Sequence, residues 1–536
     1  MIDFYLSKTG KLTANINGKH IHSGIDPEKE AEKYLASHIK NNANPSLILI
    51  LFPGLNYLYN SLRKYFPNTN IITVHLNSEM YNNSVADIQD SKVWHPLSNS
   101  ELKQFLYDNI REIEVKKLLV YTWEPVIKAF PAESKKYSNI VEQVLTEYNS
   151  NITTTNYFGK KYLKNLFTNI LALEKTAIIQ NIEKPVIIAS SGPTIENAIP
   201  IIKETRESVF LIALSSSYSL LKYNNITPDL IISTDPGYYA SVHLDSLKDD
   251  YQLIASPLTA NFGSHNKNPY LIINQGTFIE NYFLKNCGIP YINIPPNGTV
   301  AGSSYFLTSI ITKNPVIYAG FDLCANDIKT HCSPHAFENI FSKKSERTNP
   351  LLNIYYDQAV SNYNIKDSGN PNCRTSLPLK AYNGWFNTTL LGDNYFRLNP
   401  SGIKINKMKA IDNNGLYELI AAYRPTSNGK NASNAEATCA KNLYSLHFID
   451  KDKHKKNVIE LMQQLIHDLE TDISGCFYEK LVMEYDKNIL YYFNTKEYFD
   501  LVDLLLSDSK DILKNKYNDL TKECVSFIKK ELHKII

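Results

Sequence analysis

The sequence is poor in cysteine, in net charge and in long apolar runs. Its 536 residues carry 56 basic and 54 acidic side chains, a net charge of only +2. This balance gives no reason to expect nucleic acid or an anionic membrane as a partner. The seven cysteines include no C-x-x-C pair, which favours neither a disulfide framework nor a zinc knuckle. We interpret them as reduced thiols in a cytoplasm.

The sequence also lacks the patterns of a secretion signal and of a membrane span. Residues 1–8 contain no basic segment followed by an apolar core. The most apolar stretch, Leu47 to Leu55, is interrupted by Pro53 and Gly54. We therefore expect no membrane insertion and a cytoplasmic protein.

The length and the order of the patterns predict several domains. A domain usually has about 100 to 200 residues, so about three are expected. Early apolar runs such as Ser46–Phe52 predict a small α/β domain, and apolar residues beyond Lys453 at helical spacing predict a helical one. The expected division is an N-terminal α/β domain over 1–150, a connecting helix over 151–183, a central domain over 184–425 and a helical C-terminal domain over 426–536.

The central region alternates apolar strands with helical patterns. Strands are predicted at Pro185–Ser190, Ser208–Leu214 and Asp229–Ser233, with helices at Thr194–Glu204 and Tyr218–Tyr223 between them. This alternation predicts a doubly wound, Rossmann-like parallel sheet that binds ligands at the carboxyl ends of its strands. The polar, Asn-rich stretch over 326–394 is too long for a plain connection, and we interpret it as a lid.

A Gly-Pro pair follows the first central strand. Gly192 allows a tight turn and Pro193 suits the first turn of a helix, whose free amides attract phosphate. Ser190, Ser191 and Thr194 add hydroxyl groups. Alone, this corner is better explained as a tight turn with a capping threonine.

Other polar residues follow neighbouring strands of the same predicted sheet. Thr234 and Asp235 come after the third strand, where Asp235 either contacts a ligand or caps a turn. Gly302 and Ser303 lie at a second helix start, and their small size also fits close helix packing. Asp322 ends a later strand at the same edge.

Two histidines follow Asp322 in the predicted lid. His331 and His335 are four residues apart, but Pro334 between them weakens a metal site of helical geometry. A histidine in a loop is usually just solvated. Its functional interpretation is a general base that takes a proton from an acceptor hydroxyl.

Several short motifs are spread along the chain in a fixed order. They are Thr155–Asn165, Ser191–Thr194, Ile226–Asp229 with Thr234–Pro236, Ala319–Leu323 followed by His331, and Leu398–Gly402. In this ordered set the chain resembles, over most of its length, the motility-associated factor (Maf) glycosyltransferases. The central domain of that family is in turn similar to bacterial sialyltransferases that use CMP-sialic acid.

The resemblance implies transfer of a nonulosonic acid, of pseudaminic or legionaminic type, from its CMP-sugar to Ser or Thr hydroxyls of flagellin, as flagellum assembly and motility require. It implies His331 as the base, with Asp322 beside it as a second catalytic residue. No cofactor is expected, and a divalent metal is possible but not indicated. The predicted substrate-binding residues are Ser190, Ser191, Gly192, Pro193, Thr194, Ser215, Thr234, Asp235, Gly298, Thr299, Gly302, Ser303 and Asn399.

Two other functions stay open. The central domain is also similar to an archaeal pterin pyrophosphokinase, which would make the protein a phosphoryl transferase, although no Gly-x-x-x-x-Gly-Lys loop is present. A flagellin-binding assembly factor without catalysis would use the outer domains as docking surfaces.

Overall fold

The computed structural model describes residues 2–39, 44–85, 92–247, 250–263, 268–366, 369, 372–389, 392–423, 443–472, 475–507 and 509–534. The chain forms two compact units. Unit 1 contains residues 1–159 and 470–525, and unit 2 contains residues 160–469 and 526–536. None of the helices in the described residues combines the length and the apolar character needed to cross a membrane.

Unit 1 contains a parallel sheet and a small antiparallel one. The antiparallel sheet has the order β1-β2-β3 and the parallel sheet the order β6-β5-β4-β7. All five side chains of β4 are buried, because a parallel strand between helices is covered on both faces. The strands are β1 (Ile2–Leu6), β2 (Leu12–Ile16), β3 (Lys19–His20), β4 (Leu47–Leu51), β5 (Asn70–Val74), β6 (Lys92–Trp94) and β7 (Leu118–Thr122). The helices of this part of the chain are α1 (Pro27–His38), α2 (Tyr57–Tyr65), α3 (Ser78–Asn82), α4 (Leu102–Asn109), α5 (Glu124–Ala129) and α6 (Pro131–Ala172), whose last residues belong to unit 2.

The connecting helix differs from its prediction at both ends. Helix α6 begins at Pro131 rather than near 151 and ends at Ala172. A strand, Lys175–Ile179, follows where we expected the helix to continue to 183. Its alternating β-branched residues Thr176 and Ile178 favour an extended backbone, and the strand gains two hydrogen-bonded neighbours at the end of the central sheet.

Unit 2 is built on an eleven-stranded, mostly parallel sheet. Its order is β20-β19-β15-β9-β10-β11-β12-β13-β8-β21, and β14 pairs with β13. The strands of unit 2 are β8 (Lys175–Ile179), β9 (Val186–Ala189), β10 (Phe210–Leu214), β11 (Leu230–Ile232), β12 (Ile254–Pro257), β13 (Tyr270–Asn274), β14 (Ile292–Asn293), β15 (Val316–Ala319), β16 (Ala325–Asn326), β17 (Ile365–Lys366), β18 (Cys373–Thr375), β19 (Tyr395–Leu398), β20 (Lys409–Ile411) and β21 (Tyr444–Phe448). Of these, β16, β17 and β18 form a separate small sheet. The predicted doubly wound α/β fold is confirmed.

The topology of this sheet reverses beside β9. From β9 the chain adds β10, β11, β12 and β13 on one side, and it then returns to place β15 on the other side of β9. Ala189 and Ala319 are paired at the carboxyl ends of these two strands. Doubly wound sheets bind their ligands at such a switch point.

Helices cover the sheet, and the predicted lid has structure of its own. The lid contains α12, α13 and α14, together with the small sheet β16-β18-β17, whose first residue, Ala325, lies just before it. The helices of unit 2 are α7 (Ile195–Thr205), α8 (Tyr218–Tyr223), α9 (Tyr238–Leu244), α10 (Phe278–Asn286), α11 (Val300–Ile311), α12 (Glu338–Lys344), α13 (Leu351–Ser361), α14 (Leu377–Thr389), α15 (Asn413–Ala422) and α16 (Lys451–Thr471), whose last residues pass into unit 1.

The last helices depart from the predicted C-terminal domain. They are α17 (Ile489–Phe493), α18 (Thr495–Leu506) and α19 (Lys510–His533). Residues 470–525 group with unit 1 instead of forming a domain of their own. The Tyr491 hydroxyl donates to Glu112 at 2.6 Å, and the Lys117 ammonium pairs with Asp503 at 2.9 Å.

Candidate functional site

The Gly-Pro corner, residues Ser190 to Thr194, joins β9 to α7 at the switch point. The Gly192 amide donates to the Gly320 carbonyl at 2.8 Å. A side chain at Gly192 would place its Cβ 2.5 Å from Asp322 Oδ2 and 2.6 Å from the Gly320 carbonyl oxygen. Gly320 itself has a φ of 68°, a conformation that glycine adopts without strain. Glycine is therefore required on both sides of the switch point.

The Asp322 carboxylate fills the space at the start of α7. It accepts from the Thr194 amide at 2.8 Å and from the Thr194 hydroxyl at 2.5 Å. The Gly402 amide donates to the same carboxylate at 3.1 Å. Asp322 is 2% exposed, and burial raises its pKa against the opposing effect of these hydrogen bonds.

This arrangement corrects our expectation for the corner. We expected the first amides of α7 to be free for phosphate, but the Thr194 amide already binds a carboxylate. A second anion would be repelled by that charge and would find the favourable end of the helix dipole already used. Asp322 therefore links the corner to the loop that contains Gly402, and its predicted catalytic role stays a prediction.

The second helix start, at α11, has a different chemistry. Thr299 caps it, with its hydroxyl accepting from the Ala301 amide at 3.3 Å, and the Asn297 side chain accepts from the Thr299 amide at 3.1 Å. A side chain at Gly302 would collide with Asn297. No carboxylate is among the partners recorded for this turn in the described part of the chain.

Tyr382 of α14 lies across from this turn. A Cβ at Gly298 would be 3.4 Å from the Tyr382 ring. Burial and the negative charge of Asp235 raise the pKa of the Tyr382 hydroxyl. The α11 turn, Tyr382 and Asp235 thus share one region at the carboxyl edge of the sheet.

Asp235 caps its own turn. Its Oδ1 accepts from the Gly237 amide at 2.6 Å, although the residue is exposed. Helix α6 contacts the loop that follows Asp235, because its Asn165 side chain donates to the Pro236 carbonyl at 3.1 Å and to the Thr259 carbonyl at 3.0 Å. The turn-cap interpretation is thus observed, and a ligand contact by Asp235 stays a prediction.

Three histidines gather beside the Gly-Pro corner, and we call them the histidine cluster (His243, His331 and His335). The His331 and His335 rings lie 5.6 Å apart. The Phe337 ring packs against all three imidazoles. Its centroid lies 4.6 Å from that of His243, 6.4 Å from that of His331 and 5.7 Å from that of His335. His243 belongs to α9, which directly follows the Asp235 turn.

The three imidazoles are neutral at pH 7. Burial lowers the pKa of His331 and of His243 to about 4, and the neighbouring imidazoles add to the effect. Burial also lowers the pKa of His335 to about 4. A neutral imidazole can accept a proton. Within the described residues, no group of three or more His, Cys, Asp or Glu side chains has the geometry of a metal site.

The loop that contains His331, from Lys329 to Ser333, is fastened to the Gly-Pro corner; we call it the histidine loop. The Cys332 amide donates to the Ser191 carbonyl at 2.9 Å, and the Ser333 amide donates to the Glu196 carboxylate at 2.9 Å. The structure therefore brings His331 to the same side of the switch point as Ser191.

Several buried hydroxyl groups at the same sheet edge have no hydrogen-bond partner among the residues that the structure describes. They belong to Ser190 after β9, Ser233 after β11 and Ser303 in the first turn of α11. Each of these residues is at most 2% exposed. Buried polar groups are normally paired, so these three hydroxyls are candidates for hydrogen bonds to a ligand.

The remaining predicted residues differ in their surroundings. Ser215 is buried at the end of β10, and Thr234 is half-buried. Asn399 is exposed and accepts from Ser401 within its own loop at 3.1 Å. That loop reaches the corner through Gly402 and Asp322.

Sequence reasoning missed two residues near this site. His243 stands alone in a short helix, and only its position shortly after Asp235 could have drawn attention to it. Glu196 lies two residues after the Gly-Pro corner and looks like an ordinary acidic residue in a first helical turn.

Three comparisons with known proteins bear on this site. Residues 160–327 match the family model described as 6-hydroxymethylpterin diphosphokinase MptE-like. An uncharacterized protein of Treponema pallidum (strain Nichols) is 26% identical over 276 residues, which cover 49% of this chain and 61% of that protein. A second uncharacterized protein of the same organism is 24% identical over 147 residues, 27% of this chain and 70% of that protein. The chain thus spans less than two thirds of the first relative's length.

A solved structure matches the whole chain. The structure of a Maf glycosyltransferase from Magnetospirillum magneticum AMB-1 aligns with 100% of this chain and 93% of its own, with a TM-score of 0.59 and 11% sequence identity. At that identity the match is evidence for the fold. The resemblance inferred from the motifs is confirmed at this level, and the chain has the fold of a Maf glycosyltransferase.

Proposed function

We propose that the protein is a glycosyltransferase that moves a nonulosonic acid of pseudaminic or legionaminic type from a CMP-sugar to Ser or Thr hydroxyls of flagellin. The observation that carries this proposal is the attachment of the histidine loop to the Gly-Pro corner at the switch point of the sheet. It puts a neutral imidazole where a doubly wound sheet binds its ligand. The likeness of fold to a Maf glycosyltransferase supports it.

The donor phosphate fits the α11 turn better than the α7 turn. Asp322 already places a negative charge at the start of α7, whereas the α11 turn offers a positive helix end. Thr299 and Gly302 shape that turn, and Ser303 adds a buried hydroxyl without a partner. Tyr382 would cover the donor from the lid side, since its ring faces Gly298.

His331 would supply the base. The acceptor oxygen forms a bond to the anomeric carbon while the bond from that carbon to the CMP oxygen breaks, and CMP leaves with the electron pair. The hydroxyl proton passes to His331, which is neutral because burial lowers its pKa to about 4. The negative phosphate of a bound donor would raise that pKa and make the imidazole a stronger base.

The test is a transfer assay read by intact mass. Purified protein, a CMP-nonulosonate and flagellin should give flagellin heavier by whole sugar residues, and CMP alone should raise the melting temperature by mass action. The absence of both a mass change and CMP binding at millimolar concentration would refute the donor assignment. Capture of flagellin with its mass unchanged would instead favour the assembly factor.

A second candidate function is phosphoryl transfer to a pterin. The observation that favours it is the match of residues 160–327 to the MptE-like family model. ATP, magnesium and a hydroxymethylpterin should then give a diphosphorylated pterin and AMP, with no protection by CMP. The same purified protein can be tested in both assays.

A further inference from the structure

Glu196 connects α7 to both ends of the histidine loop. We propose that Glu196 is a positioning residue that holds His331 in place beside the Gly-Pro corner. This inference rests on the proposed function, in which His331 is the base, and it adds a residue that acts through the base without touching the substrate.

The contacts of Glu196 flank His331 symmetrically along the chain. The Lys329 ammonium, two residues before His331, lies 2.9 and 3.2 Å from the two carboxylate oxygens. The Ser333 amide, two residues after His331, donates to Oε1 at 2.9 Å. One side chain therefore fixes the loop on both sides of the imidazole.

The position of Glu196 in the helix makes this link short. Glu196 is the second residue of α7, and the start of α7 is fixed by the bonds of Thr194 to Asp322. The Cys332 amide adds a third bond from the loop to the Ser191 carbonyl. Displacement of the loop would therefore carry His331 away from the corner.

The two bonds of Glu196 differ in strength. The side chains of Lys329 and Glu196 are 53% and 31% exposed, and ion pairs between exposed side chains contribute little. A carboxylate that accepts from a backbone amide makes a stronger, charge-assisted bond. We therefore expect the bond to Ser333 to dominate. The side-chain oxygen of a glutamine can still accept from that amide, although without the charge, so Glu196→Gln should keep most of the function of the residue and Glu196→Ala should remove it.

A transfer assay separates these variants. Glu196→Ala should lower kcat about 10- to 100-fold, because a base displaced by about 1 Å loses its alignment, while the donor KM stays within about twofold. Glu196→Gln and Lys329→Met should stay within about threefold of the wild type. Asn197→Ala, at an exposed position next in the same helix, is the matched control and should leave kcat unchanged.

Hydrogen–deuterium exchange tests the same link without any turnover. Exchange at the amides of Cys332 and Ser333 should be about tenfold faster in Glu196→Ala than in Glu196→Gln or Asn197→Ala, because their local opening becomes easier. Equal exchange in all three variants would overturn the inference even if kcat fell. A wild-type kcat in Glu196→Ala would overturn it as well.

The failure of the inference and that of the proposed function give different results. If His331→Ala retains wild-type transfer, or if the wild type transfers nothing, the proposal that His331 is the base is wrong. Faster hydrogen exchange in Glu196→Ala would then show only that the Glu196 carboxylate holds the histidine loop in place. If His331→Ala is inactive and Glu196→Ala is fully active, the inference alone is wrong.

Discussion

Replacement of Thr194 by valine tests whether the buried carboxylate holds the switch point together. The change removes the hydroxyl that donates to Asp322 at 2.5 Å and leaves a methyl group of similar size. The backbone amide of residue 194 can still donate to the other carboxylate oxygen. Only one hydrogen bond is therefore lost, at a residue that is 8% exposed.

The expected cost of Thr194→Val follows from the charge of the acceptor. A hydrogen bond to a charged group contributes about 1.5 to 3 kcal/mol, which corresponds to a roughly 10- to 150-fold change in the equilibrium for opening. Thr194→Ser keeps the hydroxyl and loses one methyl group, for which about 0.8 kcal/mol is expected. The two variants should therefore differ by about 0.7 to 2.2 kcal/mol.

Native-state hydrogen exchange of peptides from β9 and β15 measures this cost inside unit 2. A global melting curve would mix the two units and is not a two-state transition, whereas core amides report the opening of their own strands. A loss below about 0.5 kcal/mol for Thr194→Val would refute the hydrogen-bond argument. An equal loss for Thr194→Ser, which keeps the hydroxyl, would assign the effect to side-chain packing at this position and not to the hydrogen bond.

Three further predictions concern the same sheet edge. His331→Ala should lower kcat about 10²- to 10⁴-fold, and calorimetry should show a nearly unchanged CMP affinity. In the wild type, kcat/KM should stay level in mildly acidic buffer and fall as the pH approaches 4. The reason is that the base must be neutral, and the pKa of His331 in the free protein is about 4. Gly192→Ala should destabilise unit 2 by about 1 to 3 kcal/mol, because its Cβ would lie 2.5 Å from Asp322. Gly384→Ala in α14 should instead stabilise unit 2 by about 0.5 to 1 kcal/mol, because its Cβ meets nothing within 4 Å in the described residues. Hydrogen exchange of the amides of β9 and of α14 measures the two effects separately. Thr299→Ala should cost about 1 kcal/mol of stability as a lost helix cap and also weaken CMP binding, and unchanged CMP affinity would contradict the assignment of the phosphate to α11.

The central sheet was predictable because each strand carries its own signal. All five side chains of β10, from Phe210 to Leu214, are buried, and a run of apolar residues of that length predicts a strand covered on both faces. Strand β8 was missed because Lys175–Ile179 follows a helical pattern without an intervening Gly or Pro. Its extended form depends on pairing with Tyr444–Phe448, far along the chain.

The grouping of the C-terminal helices was not predictable from local patterns. Periodicity identifies a helix and its apolar face, but it does not say which neighbour covers that face. Residues 470–525 pack with unit 1 through contacts such as that of Tyr491 with Glu112, which are 379 residues apart. No short motif records a pairing of that kind.

The sequence puts the motifs at Gly192 and Asp322 at one edge of the sheet but does not show how their charges interact. It suggests two separate roles, phosphate binding by the helix amides of the Gly-Pro corner and catalysis by the Asp322 carboxylate. The structure joins them, because residues 128 positions apart meet at the switch point and the carboxylate binds the Thr194 amide. The positive end of α7 is thereby neutralised by the protein itself. In the proposed function an anionic donor is then stabilised elsewhere on the same edge, and the α11 turn, with its capping Thr299 and the buried hydroxyl of Ser303, is the helix start that we propose for it.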